Sequence, residues 1–544
     1  MKIAFFLISM LAALGTAQAS GKSLAAGSDA ELAPYLWSWM DPVSFTEEGL
    51  KKTVAKKDPL RPFFLAFRLL TIYERTGDQK SLESAKRTLD YMLDEYQPAA
   101  RNAEGIRWYY GFDYDKGIKA PWWSGMDGFF GPMTLFAGWQ VTGDERYREA
   151  ALKSAKLMLE DPTKGGVLWR DGGSCWISEY SWNGMTRDKE YHVLNGHLWG
   201  LQALYMLADA SKDKELNEAY QCARAGTVER LHDYYNPAGN WTWYQLVPKV
   251  INPTHYNTIE LAQFRAMALL TGDPVYDEPS KRRAEIFKNA YPLSLVKTKK
   301  GLEVQFSMMG APNSYWTDTY PVTVSCSVGG KEVKATNAKV YSKDPLADRL
   351  ILRLPVKAKP KACQVSIHSG VDVPIYEQKQ FDVVQSTSNG DIPVAYTVAL
   401  QAAVTDDGKI LVTPASGENA TAGEGRIVLN VDRDVLPSQT LALVMTSTED
   451  AVLGLIVDDI KGHRASRYYP SLKAGKDHIV VLNMLGFDKG SELDKHISKL
   501  SLRVYTKPGA SPLKVSIKEL TVIRNTLDLA DFMTRHADAN FPQQ

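Results

Sequence analysis

Leu135-Phe136-Ala137-Gly138-Trp139-Gln140-Val141-Thr142-Gly143-Asp144-Glu145-Arg146-Tyr147 holds an apolar helical face, a stop and a restart. Glycine readily takes the left-handed position that ends a helix, and aspartate caps the next one. The same signal stands at Thr76-Gly77-Asp78 and Thr271-Gly272-Asp273, and in a glycine-free form at Ser211-Lys212-Asp213. It recurs at roughly 60- to 70-residue intervals, longer than the common solenoid repeats. Apolar residues at helical spacing flank each stop. Phe63, Ala66, Phe67, Leu70 and Tyr73 precede the first, and Leu82, Ala85, Leu89, Met92 and Leu93 follow it. The first half therefore reads as a series of antiparallel helical hairpins.

Long loops join the hairpins at Gln97–Ser124, Asp161–Tyr191 and Tyr234–Tyr256, and most of the first half's tryptophans lie in them. Paired helices with one elaborated loop side predict an (α/α) toroid whose loops build a cleft; an open α-solenoid is the alternative. From Gly301 the period changes to two, as in Leu302, Val304 and Phe306, and in Leu350, Leu352 and Leu354. The polar stretch Gln385–Asp391 reads as a linker, followed by further short strands such as Ile427–Val431, Leu441–Met445 and Ile479–Met484. The expected architecture is multidomain α plus β. It comprises a leader at 1–19, a toroid at 20–298, a β-sandwich at 299–390, a jelly-roll-like sandwich at 391–525 and a C-terminal tail at 526–544, a short helix and then a frayed end. The last sandwich is either a carbohydrate-binding module or a structural appendage, on fold analogy alone.

Met1-Lys2, the apolar run Ile3–Leu14 and Ala17-Gln18-Ala19 have the parts of a secretory signal, which predicts a periplasmic or extracellular protein. No later run approaches the roughly 20 apolar residues of a membrane span. A net charge of +1 gives no whole-molecule attraction to nucleic acid or to a polyanion, so an acidic ligand needs local contacts. Cys326 and Cys363 fall in register with β-core residues; a bridge and a pair of buried thiols both fit. Pairing of Cys175 with Cys222 stays open. No Cys/His spacing suggests zinc and no Gly-rich phosphate loop follows a strand, so neither metal nor cofactor is expected.

Carbohydrate sites need flat apolar faces with polar groups at the rim. Trp108-Tyr109-Tyr110, Trp122-Trp123, Trp169, Trp176, Trp182, Trp241 and Trp243 supply such faces on one expected side. Between Glu179 and Gln263, tyrosines recur at expected helix edges: Tyr180, Tyr244 and Tyr256.

Tyr191-His192-Val193-Leu194-Asn195-Gly196-His197 resembles the Val-Leu-Asn-Gly helix of the D-glucuronyl C5-epimerase catalytic domain. Glu179-Tyr180 matches that family's upstream Glu-Tyr pair. Tyr244, after Gly239–Trp243, matches its next tyrosine, and Tyr256, Thr258 and Gln263 match its third motif. Trp122-Trp123-Ser124-Gly125-Met126 is similar to its Trp-x-Ser-x-Met segment. The segment departs from the family at Asn257 and Glu260, where the family has histidines, and at Pro253-Thr254-His255, where animal enzymes have Arg-Trp-Asp. The resemblance implies an (α/α) barrel, a uronate polysaccharide substrate and tyrosines as proton-transfer groups.

On this reading Tyr180, Tyr256 and Tyr244 form the acid/base set, and Glu179 tunes or positions them. Trp122, Trp123, Trp243, Arg187, Asn195, His197 and His255 are the candidate substrate contacts. C5 of a uronate bears a hydrogen alpha to a carboxylate. One group must remove it, and another must return a proton to the opposite face. Three other readings compete: a lyase starting from the same carbanion, a hydrolase using Asp127 with Glu179 or Asp171, and a non-catalytic polysaccharide-binding protein.

Overall fold

The computed structural model describes residues 23–26 and 57–540. Residues 115–116, 236–241, 253, 291–292, 299, 310–321, 338–348, 369–371, 385–389, 415–422, 437–438, 484–488, 491–492, 508 and 525 are excepted. The expected leader, Trp241 and most of the expected linker lie outside the described residues.

Among the described residues, four helical hairpins make up most of the first half. They are α1 (Leu60–Thr76) with α2 (Gln79–Asp94), α3 (Gly125–Thr142) with α4 (Glu145–Met158), α5 (Leu194–Ser211) with α6 (Lys214–Arg230), and α7 (Thr254–Thr271) with α8 (Asp277–Ala290). Each stop works as the residues dictate. Gly77, Gly143 and Gly272 have φ of 73°, 73° and 66°. Asp78, Asp144, Asp213 and Asp273 each accept a backbone N–H of the turn that follows.

The first helices α1, α3, α5 and α7 pack side by side in chain order. α3 and α5 are buried on nearly every face, whereas α2 and α4 bury one stripe each. Close approach of α3 and α5 depends on small residues: a methyl group at Gly200 would sit 2.8 Å from the Gly125 carbonyl oxygen.

The long loops are less irregular than the sequence suggests. Short antiparallel ribbons form at Ala100–Asn102 with Gly105–Arg107, Leu168–Asp171 with Ser174–Ile177, and Trp243–Leu246 with Lys249–Ile251. Trp122–Trp123 pairs with Ser181–Trp182, joining two different loops. Cys175 is disulfide-bonded to Cys222, which ties one ribbon to α6.

The second half is built of sheets. One sheet orders Arg349–Val356, Gly301–Met309, Leu293–Thr298 and Val383–Val384, and a second orders Lys331–Asn337, Val322–Val328, Ala362–His368 and Asp372–Gln378. Leu293–Thr298 starts ahead of the expected boundary at 299, because its pairing with Gly301–Met309 makes it the first strand of the sheet. Cys326 and Cys363 face each other across adjacent strands and are bonded. A six-stranded and a five-stranded sheet follow between Tyr396 and Ile523.

The end of the chain forms the expected short helix, and the stretch after it, expected to fray, is docked through Asn540. In α9 (Thr526–Arg535), Phe532 is buried against Ala442, Val444, Ile479, Val481 and Ile523. The Asn540 carbonyl then accepts the Ile479 N–H at 2.8 Å. Among the described residues, no helix is long and apolar enough to cross a membrane.

Lys212 takes the left-handed position without being glycine, at φ 56°. That conformation costs a side-chain-bearing residue about 1–2 kcal/mol, part of which glycine gives back as unfolded-chain entropy. Lys212→Gly is expected to raise unfolding stability by about 0.5–1 kcal/mol, read as a higher denaturation midpoint at unchanged slope. An unchanged or lower midpoint would contradict the stop-and-restart account of this hairpin.

Candidate active site

Three loops converge on one cluster of aromatic residues. Tyr110, Ile118, Trp122, Tyr180, Val193 and Tyr244 are buried together, with Tyr114, Trp182, Tyr191 and Tyr256 packed against them. Tyr180 is set by its neighbours. The backbone carbonyl of Tyr180 accepts from Ser178 Oγ at 2.7 Å, and Ser178 Oγ also bonds the buried carboxylate of Glu190. Glu190 in turn accepts the Trp169 indole N–H at 2.7 Å and the His192 backbone N–H at 2.9 Å. The loop is therefore held by satisfied buried polar groups rather than by sequence-local structure.

Tyr244 arrives on the Trp243–Leu246 ribbon, which is held to the α5 loop by the Leu246 N–H donating to the Tyr191 carbonyl at 3.1 Å. Tyr256 lies in the first turn of α7, with its ring centroid 4.8 Å from that of Tyr244. The Tyr180 and Tyr244 hydroxyls are 3.4 Å apart. On its other side the Tyr180 hydroxyl donates to Tyr114 Oη at 3.1 Å, with the two rings stacked at 5.0 Å. Either phenol can donate across the Tyr180–Tyr244 contact, and the three hydroxyls run in sequence from Tyr244 through Tyr180 to Tyr114.

Tyr180 and Tyr244 are only 4% and 8% exposed. Burial first, and then the charge of Glu179, raise both phenols well above their ordinary pKa. Glu179 is itself buried against the start of α5, where a methyl group at Gly196 would collide with its carboxylate. The Asn195-Gly196 pair is thus a steric notch for Glu179. The expected tuning by Glu179 has a definite sign: it keeps both tyrosines protonated.

The start of α7 is pinned from behind. Glu260 Oε2 accepts from Arg283 Nε and Nη2 at 2.9 and 2.6 Å, and both side chains are fully buried. Arg283 Nη1 also donates to the Tyr235 hydroxyl at 2.6 Å. Thr242 Oγ1 donates to Asn257 Oδ1 at 2.5 Å and accepts from Asn252 Nδ2 at 3.0 Å, tying the Tyr244 ribbon to the helix that carries Tyr256.

The expected substrate contacts divide. Trp122 belongs to the cluster, stacked on Tyr110 at 3.9 Å. Trp123 and Trp243 are core residues instead. Trp123 donates its indole N–H to the Gly166 carbonyl at 3.2 Å with Arg107 over its ring, and Trp243 is fully buried. Arg187 pairs with Asp171 and lies over the Trp169 ring at 5.0 Å, on an exposed surface.

His197 faces the core, stacked on Trp176 at 3.8 Å. Its Nδ1 accepts the Ile177 N–H at 3.0 Å, and Nε2 is 2.8 Å from Thr227 Oγ1. Burial lowers its pKa to about 3, so it is a neutral packing residue rather than a carboxylate holder. Asn195 is buried with Oδ1 unpartnered among the described residues, and its backbone carbonyl accepts from Gln263 Nε2 at 3.0 Å. The His255 side chain lies outside the described residues.

Of the expected hydrolase carboxylates, Asp127 is buried near Tyr110 with its pKa raised well above normal by burial, and Asp171 is paired with Arg187 and Arg230. Among the described residues, no group of three or more His, Cys, Asp or Glu side chains is arranged to hold a metal ion. Tyr114 was missed in the sequence. Its only signal there is that it follows the aromatic run Trp108-Tyr109-Tyr110.

Comparison with known proteins gives a likeness of class first: the segment that holds this site matches the model of a carbohydrate-epimerase family. That model describes the D-glucuronyl C5-epimerase C-terminus and matches residues 101–285, about a third of the chain. An uncharacterized protein of Methanocaldococcus jannaschii is 25% identical over 183 residues, 32% of this chain and 56% of that protein. The chain thus spans about half the length of that relative. Among solved structures, a cellobiose 2-epimerase from Bacillus thermoamylovorans overlaps at 13% identity and a TM-score of 0.33, over 43% of this chain and 60% of that one. An unsaturated glucuronyl hydrolase from Streptococcus agalactiae overlaps at 17% and 0.32, over 45% and 63%. Likenesses this loose carry no functional weight.

Two outcomes follow from the site. Arg283→Ala strands a buried carboxylate and is expected to cost about 3–5 kcal/mol in denaturant unfolding; a loss below 1 kcal/mol would show the pair is not a structural pin. Glu179→Gln removes a charge that raises the pKa of Tyr180 and Tyr244. The rising limb of the kcat/KM–pH profile is therefore expected at lower pH than in the wild type. A shift to higher pH would reverse the sign assigned to Glu179.

Proposed function

We propose that this protein is an exported enzyme that inverts C5 of D-glucuronyl residues in an acidic polysaccharide by tyrosine-mediated proton abstraction and return. The observation that supports it is the gathering of Tyr180, Tyr244 and Tyr256 in one buried cluster inside the C5-epimerase family segment. In this reading Tyr180 and Tyr256 serve the two faces of the sugar ring, and Tyr244 stands between them. A buried phenol is a competent acid as it stands, and once deprotonated it is a strong base in a site without water to soften it. Trp122, stacked on Tyr110, packs beside Tyr180.

The finer architecture belongs to the same proposal. The arc of hairpins is read as part of an (α/α) toroid, and the two pairs of sheets as β-sandwiches, the second of which binds polysaccharide. The leader at 1–19 directs export to the periplasm or beyond.

The test is incubation with glucuronan-type polymers in heavy water, followed by NMR and by ultraviolet absorbance. Deuterium at C5 with an intact chain is the expected result. Absorbance from an unsaturated product would identify a lyase instead. Replacing Tyr180 or Tyr256 by Phe is expected to lower turnover about 10²–10⁴-fold with little change in KM. Turnover that survives both changes would remove these tyrosines from the mechanism.

A further inference from the structure

Burial leaves the site with a problem of proton traffic. Tyr180 is sealed and held protonated, so its proton has to leave before it can accept one from carbon. The loop from Tyr110 to Trp122 supplies a way out. Its two arms are bonded to each other, the Tyr110 N–H donating to the Trp122 carbonyl at 2.7 Å and the Tyr114 N–H to the Ile118 carbonyl at 2.9 Å. This fold lays the Tyr114 ring on Tyr180 and places its hydroxyl 3.1 Å from that of Tyr180. Unlike Tyr180, Tyr114 is partly exposed. Tyr114 lies within the matched segment 101–285 but in none of the short motifs quoted for the resemblance.

We propose that Tyr114 is a proton relay that connects the buried Tyr180 hydroxyl to solvent. This rests on the C5-epimerase reading above. In the outward step the Tyr180 O–H proton passes to the Tyr114 oxygen while the Tyr114 proton passes to water. The water becomes hydronium, Tyr180 is left as phenolate, and Tyr114 ends neutral. The phenolate then takes the C5 proton, the C–H electron pair stays on the sugar, and the acid on the other face gives its proton to C5.

Tyr180 now holds the hydrogen that came from the substrate, and two routes restore the site. Through Tyr244, 3.4 Å away, that hydrogen can pass to the depleted acid without meeting solvent. Through Tyr114 it is lost to water, and a solvent proton replaces it. The relay therefore sets how much solvent hydrogen appears at C5 per inversion.

Tyr114→Phe keeps the ring and its stacking and removes only the hydroxyl. In heavy water, the ratio of deuterium at C5 to inverted residues is expected to fall several-fold in the full-length variant, at an unchanged melting temperature. An unchanged ratio overturns the relay while leaving the epimerase reading intact. A wild-type protein that neither inverts nor exchanges C5 overturns that reading and the relay with it. If Tyr114→Phe is folded but turns nothing over, Tyr114→His decides. Recovery of turnover by this proton-carrying replacement supports the relay, and failure to recover it refutes the relay.

Discussion

A buried phenol must place its hydroxyl against a partner, because burying an unpartnered hydroxyl costs on the order of 1–3 kcal/mol. That constraint holds the site together. Tyr244, Tyr180 and Tyr114 come from three separate loops and meet hydroxyl to hydroxyl. These contacts couple the three loops, so a shift of one loop disturbs a hydroxyl contact made by another. The helical hairpins set the loops on one side; the phenols fix how those loops meet.

The departures from the family pattern make sense in the same terms. Where the family has a histidine, this chain has Glu260, whose charge in a dry core would be prohibitive by itself. Arg283, one hairpin arm away on α8, neutralises it, and Tyr235 takes a further donor of the guanidinium. Asn257, at the other departed position, binds Thr242 on the ribbon that carries Tyr244. Asn257 in the first turn of α7 and Glu260 one turn further on therefore both tie that helix to its neighbours.

The helix ends were legible because their causes are local: a left-handed residue and a capping aspartate are visible in three letters at Gly77, Gly143 and Gly272. The tyrosine cluster was legible only with the resemblance, which supplied long-range neighbourhood that spacing cannot. The short ribbons were not, since Trp122 and Trp182 are strand residues only because they pair with each other. Trp123, Trp243 and His197 show the ambiguity of residue type. An indole or imidazole suits a sugar site and a core equally, and only burial tells them apart. Tyr114 stayed hidden because nothing adjacent to it in sequence marks a contact made 66 residues away.

The electrostatics of the cluster put a condition on any chemistry at C5. Burial and Glu179 both oppose ionisation of Tyr180 and Tyr244, and a bound uronate would add a further negative charge. Abstraction by a phenolate is then reached in small population but with high basicity, while donation by a neutral phenol needs no preparation. An asymmetry of this kind suits an enzyme that works in both directions across one carbon, since the acid is always ready and only the base must be formed. It also makes the departure of one proton the step on which the environment acts most strongly. A hydroxyl that joins the buried phenol to water is therefore the place where such a site is most easily tuned.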